Sequence, residues 1–188
     1  MSVHQQDSHR NLESSKATPG RRSRFFKGFL TNFLLFIAML SGAHYWQTRS
    51  LLPTGSESSA PQFTLLDLDG TPHNLAATKG RTVVLYFMAP WCGVCHSSID
   101  SLQKIRDLKS SEEVAIFVIA LDYKNINEVR DFLSQHQLTL PVLLGTEKTM
   151  SDYKISAFPT YYILDQQGKV QSQAVGYTTE LGLRLRLL

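Results

Sequence analysis

Apolar residues follow three different rhythms along this chain. From 25 to 45 they run almost unbroken, as FFKGFLTNFLLFIAMLSGAHY. Two shorter continuous runs, VVLYFM at 83–88 and VAIFVIAL at 114–121, have the form of strands buried on both faces, as in the middle of a mainly parallel sheet. Elsewhere the spacing is helical. Ile99, Leu102, Ile105 and Leu108 follow WCGVC on one helix face, and Val129, Phe132 and Leu133 mark a helix over 127–135, with Asn125 or Asn127 as N-cap. Upstream, Phe63, Leu65 and Leu68 alternate with polar residues, and Asp69-Gly70 before Leu75 predicts a hairpin. Downstream, LPVLLG reads as a strand end or a loop, and MSDYKI as a short helix. Thr160–Leu164 and 169–176 read as an antiparallel pair around D-Q-Q-G. The tail spaces Leu181, Leu185 and Leu188 as a helical stripe; L-R-L-R alternation also fits a strand, and helix is the preferred reading.

The order is therefore a hairpin, then β-α-β-α, then β-β-α. Helices separating apolar strands predict an α/β fold with right-handed crossovers and a covered sheet. With 188 residues there is room for one globular domain and a further segment. The expected division is a basic segment at 1–24, a transmembrane anchor at 25–46, a Ser/Thr/Gly/Pro-rich linker at 47–60 and the domain at 61–188.

Charge sharpens the reading of the long apolar run. Arg10, Lys16, Arg21, Arg22, Arg24 and Lys27 stand at its N-terminal side against Asp7 and Glu13, although the whole chain carries only +3. No aromatics alternate with these charges, so nucleic acid is not the expected partner. As a helix, the run extends about 32 Å at about 1.5 Å per residue, enough for a hydrocarbon core of about 30 Å. Tyr45 and Trp46 stand where an interfacial belt forms, and the positive-inside rule leaves the basic end in the cytoplasm and exports the domain. The competing reading is a cleaved signal peptide ending at Ser41-Gly42-Ala43. A retained anchor is preferred because the run is long enough to span.

The chemistry concentrates in WCGVCH. The two cysteines, Cys92 and Cys95, are the chain's only ones. A structural bridge across two residues restricts little chain. A zinc site lacks a second C-x-x-C, with His73, His96 and His136 scattered along the sequence. C-x-x-C-H is also the form of a c-type haem attachment site, which would need a pocket and a second axial ligand. A redox dithiol uses more of the context. Cys92 falls at a helix N-terminus, where orphan amides and the dipole favour a thiolate, and the C-G-V-C turn keeps the sulfurs close enough to form a Cys92–Cys95 disulfide. Cys92 is then the nucleophile and Cys95 the resolving thiol, with Trp91 as a wall beside an exposed sulfur. Phe158-Pro159-Thr160 forms the second expected element, a cis-Pro loop facing the dithiol and offering backbone to a substrate strand; the plain alternative is a trans Pro opening a strand. No cofactor or metal is expected.

WCGVC after VVLYFMAP, with FPTYYIL and a turn ending at Gly168, resembles the thioredoxin superfamily. The front hairpin FTLLDLDGTPHNL, the anchor and the run at 114–121 resemble its membrane-tethered TlpA/ResA/DsbE-type branch. CGVC together with the ending GYTTELGLRLRL is similar to the suppressor-of-copper-sensitivity protein D group. The resemblance covers about residues 61–188. It implies a thioredoxin-like fold, a central mixed sheet flanked by helices with an extra N-terminal hairpin. It implies an exported protein disulfide oxidoreductase held in a bacterial inner membrane with its domain in the periplasm, acting on exported proteins with disulfides or thiols. A membrane thiol electron donor or acceptor, the reducing direction and a link to copper tolerance are further implications. The alternative within the resemblance is a dedicated thiol-delivery partner in cytochrome c biogenesis. One position departs from the pattern: many thioredoxins carry a buried Asp where this chain has Tyr86. The resemblance offers Asp122 as a substitute proton acceptor, against a plain strand-end or capping role.

Overall fold

The structure, a computed structural model, describes residues 31–42, 51–55 and 58–187. The basic segment at 1–24 and both ends of the expected anchor lie outside these residues. Residues 31–42 are helical (α1), and the side chains of Phe33, Leu34, Leu35, Phe36, Ile37, Met39 and Leu40 are all exposed. Among the described residues no helix is long and apolar enough to cross a membrane; α1 covers only the middle of the expected 25–46 span.

The chain divides into two compact units, 1–43 and 44–188, and the second holds the remaining elements. They are β1 (Thr64–Leu66), β2 (Pro72–Asn74), a 3-10 turn (Leu75–Thr78), β3 (Thr82–Met88), α2 (Gly93–Leu108), β4 (Val114–Ala120), α3 (Ile126–His136), β5 (Val142–Leu144), α4 (Glu147–Asp152), β6 (Thr160–Leu164), β7 (Val170–Val175) and α5 (Glu180–Arg186). β1 and β2 pair antiparallel about a turn in which Asp67 Oδ1 accepts the amides of Asp69 and Thr71, at 3.0 and 2.8 Å, and Gly70 takes φ +81°.

The main sheet runs β5-β4-β3-β6-β7. β3, β4 and β5 are mutually parallel, β6 pairs antiparallel with β3, and β7 pairs antiparallel with β6. Because side chains alternate across a strand, each central strand feeds two cores. Val84, Tyr86 and Met88 join Ile99, Leu102, Ile105, Phe132 and Leu183 from the helices. Val83, Leu85 and Phe87 join Leu51, Leu65, Leu75, Tyr153 and Ile155 on the other face. Each of the larger apolar side chains contributes about 1.5–3 kcal/mol by burial.

The outer strands are covered. Ser59 bridges Lys169, with Val170 N–H donating to Ser58 O at 2.8 Å along the start of β7, and Asp67 bridges Leu143 on β5. Tyrosine hydroxyls tie the incoming chain down: Leu52 N–H donates to Tyr162 Oη at 3.1 Å, and Tyr153 Oη donates to Pro61 O at 2.6 Å.

Three expectations are corrected or resolved. LPVLLG contains a strand, since Val142–Leu144 pairs in register with Val118–Ala120. The short helix expected over 150–155 instead spans Glu147–Asp152, started by reciprocal bonds between Thr146 and Thr149; fewer than two turns leave too little periodicity to place it. In the tail, helix is right but its inward face differs. Leu183 is fully buried with Leu187 beside it, while Leu181 and Leu185 are exposed. Both pairs have a spacing of four, so the pattern alone did not choose between them.

Candidate active site

β3 delivers the chain to Ala89 at the C-terminal edge of the sheet, and a turn closed by Cys92 N–H donating to Ala89 O at 3.0 Å launches α2. Cys92 is the N-cap, in extended conformation, and its sulfur accepts the Cys95 N–H at 3.3 Å. A sulfur thus fills the position where an oxygen usually satisfies a first-turn amide. Both cysteines are free thiols. Cys92 is 7 % exposed and Cys95 is fully buried, so the attacking sulfur expected at the surface is largely covered. The covering comes from the facing loop.

In that loop the Phe158–Pro159 bond is cis. The Cys92 thiol donates to Phe158 O at 3.6 Å, and Trp91, 63 % exposed, meets the Phe158 ring edge-on at 5.9 Å between centroids. Thr160 is not part of the open surface: it is buried, and its hydroxyl donates to Ala157 O at 2.8 Å beneath the loop. Trp91, Cys92, Phe158 and Pro159 therefore come together, with Thr160 as the loop's internal tie.

Asp122 lies at the end of β4 with φ +49°, and it holds the indole. Trp91 Nε1–H donates to Asp122 Oδ2 at 3.1 Å and to its backbone oxygen at 3.0 Å. Its carboxylate is thus engaged by the indole.

Cys95 faces different chemistry. Burial pushes its thiol up to about 12, with the Cys92 sulfur adding to the rise, while the Ala89 amide and the Tyr86 hydroxyl pull the other way. Tyr86 Oη lies 2.9 Å from Ser98 Oγ and donates toward Cys95 O at 3.2 Å. Tyr161 stands ring to ring with Tyr86, centroids 4.8 Å apart.

On the other side of α2, His96 Nε2 donates to Pro90 O at 2.8 Å, and Nδ1 is 2.8 Å from His136 Nε2. Both ring nitrogens are thus engaged, leaving none free for iron in this arrangement. The histidines that look scattered in sequence are partly reunited because α3 docks on α2. Among the described residues no three metal-ligating side chains converge.

Known proteins share the family and the fold. The Redoxin family description matches residues 55–182. The chain belongs to the Redoxin family. This Redoxin is 30% identical over 168 residues to the thioredoxin-like protein YneN of Bacillus subtilis (strain 168), spanning 86% of this chain and 97% of that one. It is 25% identical over 146 residues to the thiol-disulfide oxidoreductase ResA of Geobacillus thermodenitrificans, spanning 77% and 82%. The crystal structure of a thiol:disulfide interchange protein of the thioredoxin family from Chlorobium tepidum TLS shows the same fold, with a TM-score of 0.65, 22% identity and coverage of 72% and 97%. This Redoxin is a disulfide oxidoreductase with a thioredoxin-like fold, of the ResA/DsbE kind.

Proposed function

We propose that this chain is a membrane-anchored thiol–disulfide oxidoreductase that reduces disulfides of exported proteins, with Cys92 as nucleophile and Cys95 as resolving thiol. The observation that carries the reading is the asymmetry of the two sulfurs. Cys92 caps α2 beneath the Phe158 carbonyl and beside the exposed Trp91, whereas Cys95 is enclosed behind it. Cys92 attacks a client disulfide as thiolate and forms a mixed disulfide; Cys95 attacks Cys92 Sγ, forms the Cys92–Cys95 disulfide and releases the reduced client. Trp91, Phe158 and Pro159 form the groove for the client's backbone.

The basic residues before the apolar run, and the exposed apolar side chains around α1, support a helix in lipid with the domain exported to the periplasm. A membrane thiol donor then restores the dithiol. The likeness to the suppressor-of-copper-sensitivity group extends the proposal to clients damaged under copper stress.

Reduction of insulin disulfides by the wild type and by Cys92→Ser tests the dithiol. The variant is expected to lose the activity, and an unchanged rate overturns the reading. Trapping with Cys95→Ser then decides breadth: many captured clients mark a general oxidoreductase, and one alone marks a dedicated partner such as cytochrome c biogenesis requires.

A further inference from the structure

A resolving thiol that is fully buried has to become a thiolate before it can attack, and the surroundings of Cys95 contain an unassigned set of hydroxyls. Tyr86 comes from β3, Ser98 from the next turn of α2, and Tyr161 from β6. All three are fully buried. We propose that the Tyr86 hydroxyl, seated against Ser98 and the Cys95 carbonyl, is the hydrogen-bond donor that stabilises the Cys95 thiolate in the resolving step. This rests on the dithiol reading above and adds a residue to it.

The geometry limits what Tyr86 is able to do. Its oxygen is 2.9 Å from Ser98 Oγ and 3.2 Å from Cys95 O, and the Cys95 thiol is close enough for the hydroxyl to pull its pKa down. Ser98 Oγ donates to the same carbonyl at 3.3 Å. When the single Tyr86 hydrogen turns toward the sulfur, Ser98 keeps that carbonyl satisfied, so the change needs only a hydroxyl rotation. Burial, with the neighbouring Cys95 and Tyr161 adding, drives the Tyr86 phenol far above its ordinary range. Tyr86 therefore keeps its proton and acts as a donor, never as the base.

The other groups around the sulfur leave this task open. The titratable neighbours of Cys95 are Cys92 on its own helix, Tyr86 from β3 and Tyr161 from β6. Tyr161 has its hydroxyl buried near Ser98 and Thr178 without a hydrogen bond of good geometry, whereas the Tyr86 hydroxyl is already held against Ser98 and the Cys95 carbonyl, a rotation away from the thiol. A neutral hydroxyl, that of Tyr86, stands at the strand position where many thioredoxins carry an acidic side chain.

The step balances without a further reagent. The client thiolate released when Cys92 attacks takes the Cys95 proton. The Cys95 thiolate then forms the Cys92–Cys95 bond as the Cys92–client bond breaks, and the second client sulfur leaves as thiolate to be protonated by solvent. The dithiol is oxidised by two electrons and the client disulfide is reduced.

Ellman's disulfide separates the two steps in a stopped-flow experiment. One chromophore leaves when Cys92 attacks, and a second leaves when Cys95 resolves the mixed disulfide. Tyr86→Phe is expected to leave the first phase intact, slow the second by about tenfold or more at neutral pH, and move its pH profile upward. A ring-fluorinated tyrosine at position 86, equal in shape with a more acidic hydroxyl, is expected to speed the second phase and move the profile down; it also answers the case in which the Phe variant does not fold. Wild-type second-phase rates and profiles in either folded variant overturn the role of Tyr86. Cys95→Ser serves as the separate control. Loss of its second phase upholds the dithiol reading whatever Tyr86 does, and persistence of that phase refutes the dithiol reading itself.

Discussion

His96 Nδ1 and His136 Nε2 lie 2.8 Å apart across forty residues of sequence, and the other nitrogen of His96 sits 2.8 Å from the Pro90 carbonyl. A carbonyl only accepts, so His96 carries its hydrogen on Nε2 and receives one from His136 on Nδ1. His136 Nδ1 in turn faces Asp100 Oδ1 at 3.5 Å. The chain of contacts ties α3 to α2 and to the loop that bears Trp91 and Cys92. His96→Phe keeps a ring against Phe132, now 4.6 Å away centroid to centroid, but loses both bonds. It is expected to cost about 1–2 kcal/mol in urea unfolding and to speed amide exchange at Trp91 and Cys92. Unchanged stability and exchange would show that the chain of contacts supports nothing.

Asp122 and Trp91 give a second test, because a positioning role and a proton-accepting role predict opposite results. Asn keeps an acceptor for the indole and tolerates the positive φ of +49°. Asp122→Asn is expected to retain most of the turnover, while Asp122→Ala raises KM for a peptide disulfide several-fold with little change in kcat. A collapse of kcat in Asp122→Asn would instead return the carboxylate to proton transfer.

The hairpin carries a pH dependence of predictable sign. His73, hydrogen-bonded to Asp67 at 2.8 Å, and the Thr71 amide hold the Asp67 carboxyl below its ordinary value. A carboxylate depressed in the folded state binds fewer protons there than in the unfolded chain. Its contribution is therefore complete above the unfolded pKa of about 4 and is lost as pH falls through the lower folded value. Urea midpoints between pH 2 and 7 should show wild type ahead of Asp67→Asn near neutrality, with the gap closing in acid. A constant gap would place the effect outside ionisation.

Gly145 follows β5 at a point where the chain passes close to β4. A Cβ there would stand 2.5 Å from Leu121 Cδ2 and 2.9 Å from the Ala120 carbonyl oxygen. The side chain has some freedom to move, but the backbone oxygen accepts the Gly145 N–H at 2.9 Å and is fixed. Gly145→Ala is expected to lose about 1–3 kcal/mol by overpacking. Equal thermal midpoints would mean that the loop shifts freely.

What was legible in the sequence was the part with a strong local signal. Continuous apolar runs placed β3 and β4, helical spacing placed α2 and α3, and WCGVC with FPT located the two halves of the site. What was not legible depends on packing between distant segments. His136 has no motif, and it reaches His96 only because one helix docks on another. The covering of Cys92 comes from the Phe158 carbonyl, a backbone atom common to every residue type. Leu183 and Leu181 are equivalent by period, and the face that turns inward is decided by the sheet below. Tyr86 was visible as a departure from the thioredoxin pattern, but its hydroxyl partners, Ser98 and the Cys95 carbonyl, appear only when β3 lies under α2.

Both outer strands of the main sheet carry contacts from the chain's own N-terminal part, Ser58 and Ser59 along β7 and Asp67 on β5. Unpaired strand borders are where chains stack on one another and begin to aggregate. An oxidoreductase acting on the proposed exported clients would meet extended polypeptides often. These contacts interrupt both borders and make the sheet a poorer template for them. In the proposed mechanism a visiting chain would then lie against the backbone beside Phe158 and Pro159, next to Cys92, rather than settle at the margins.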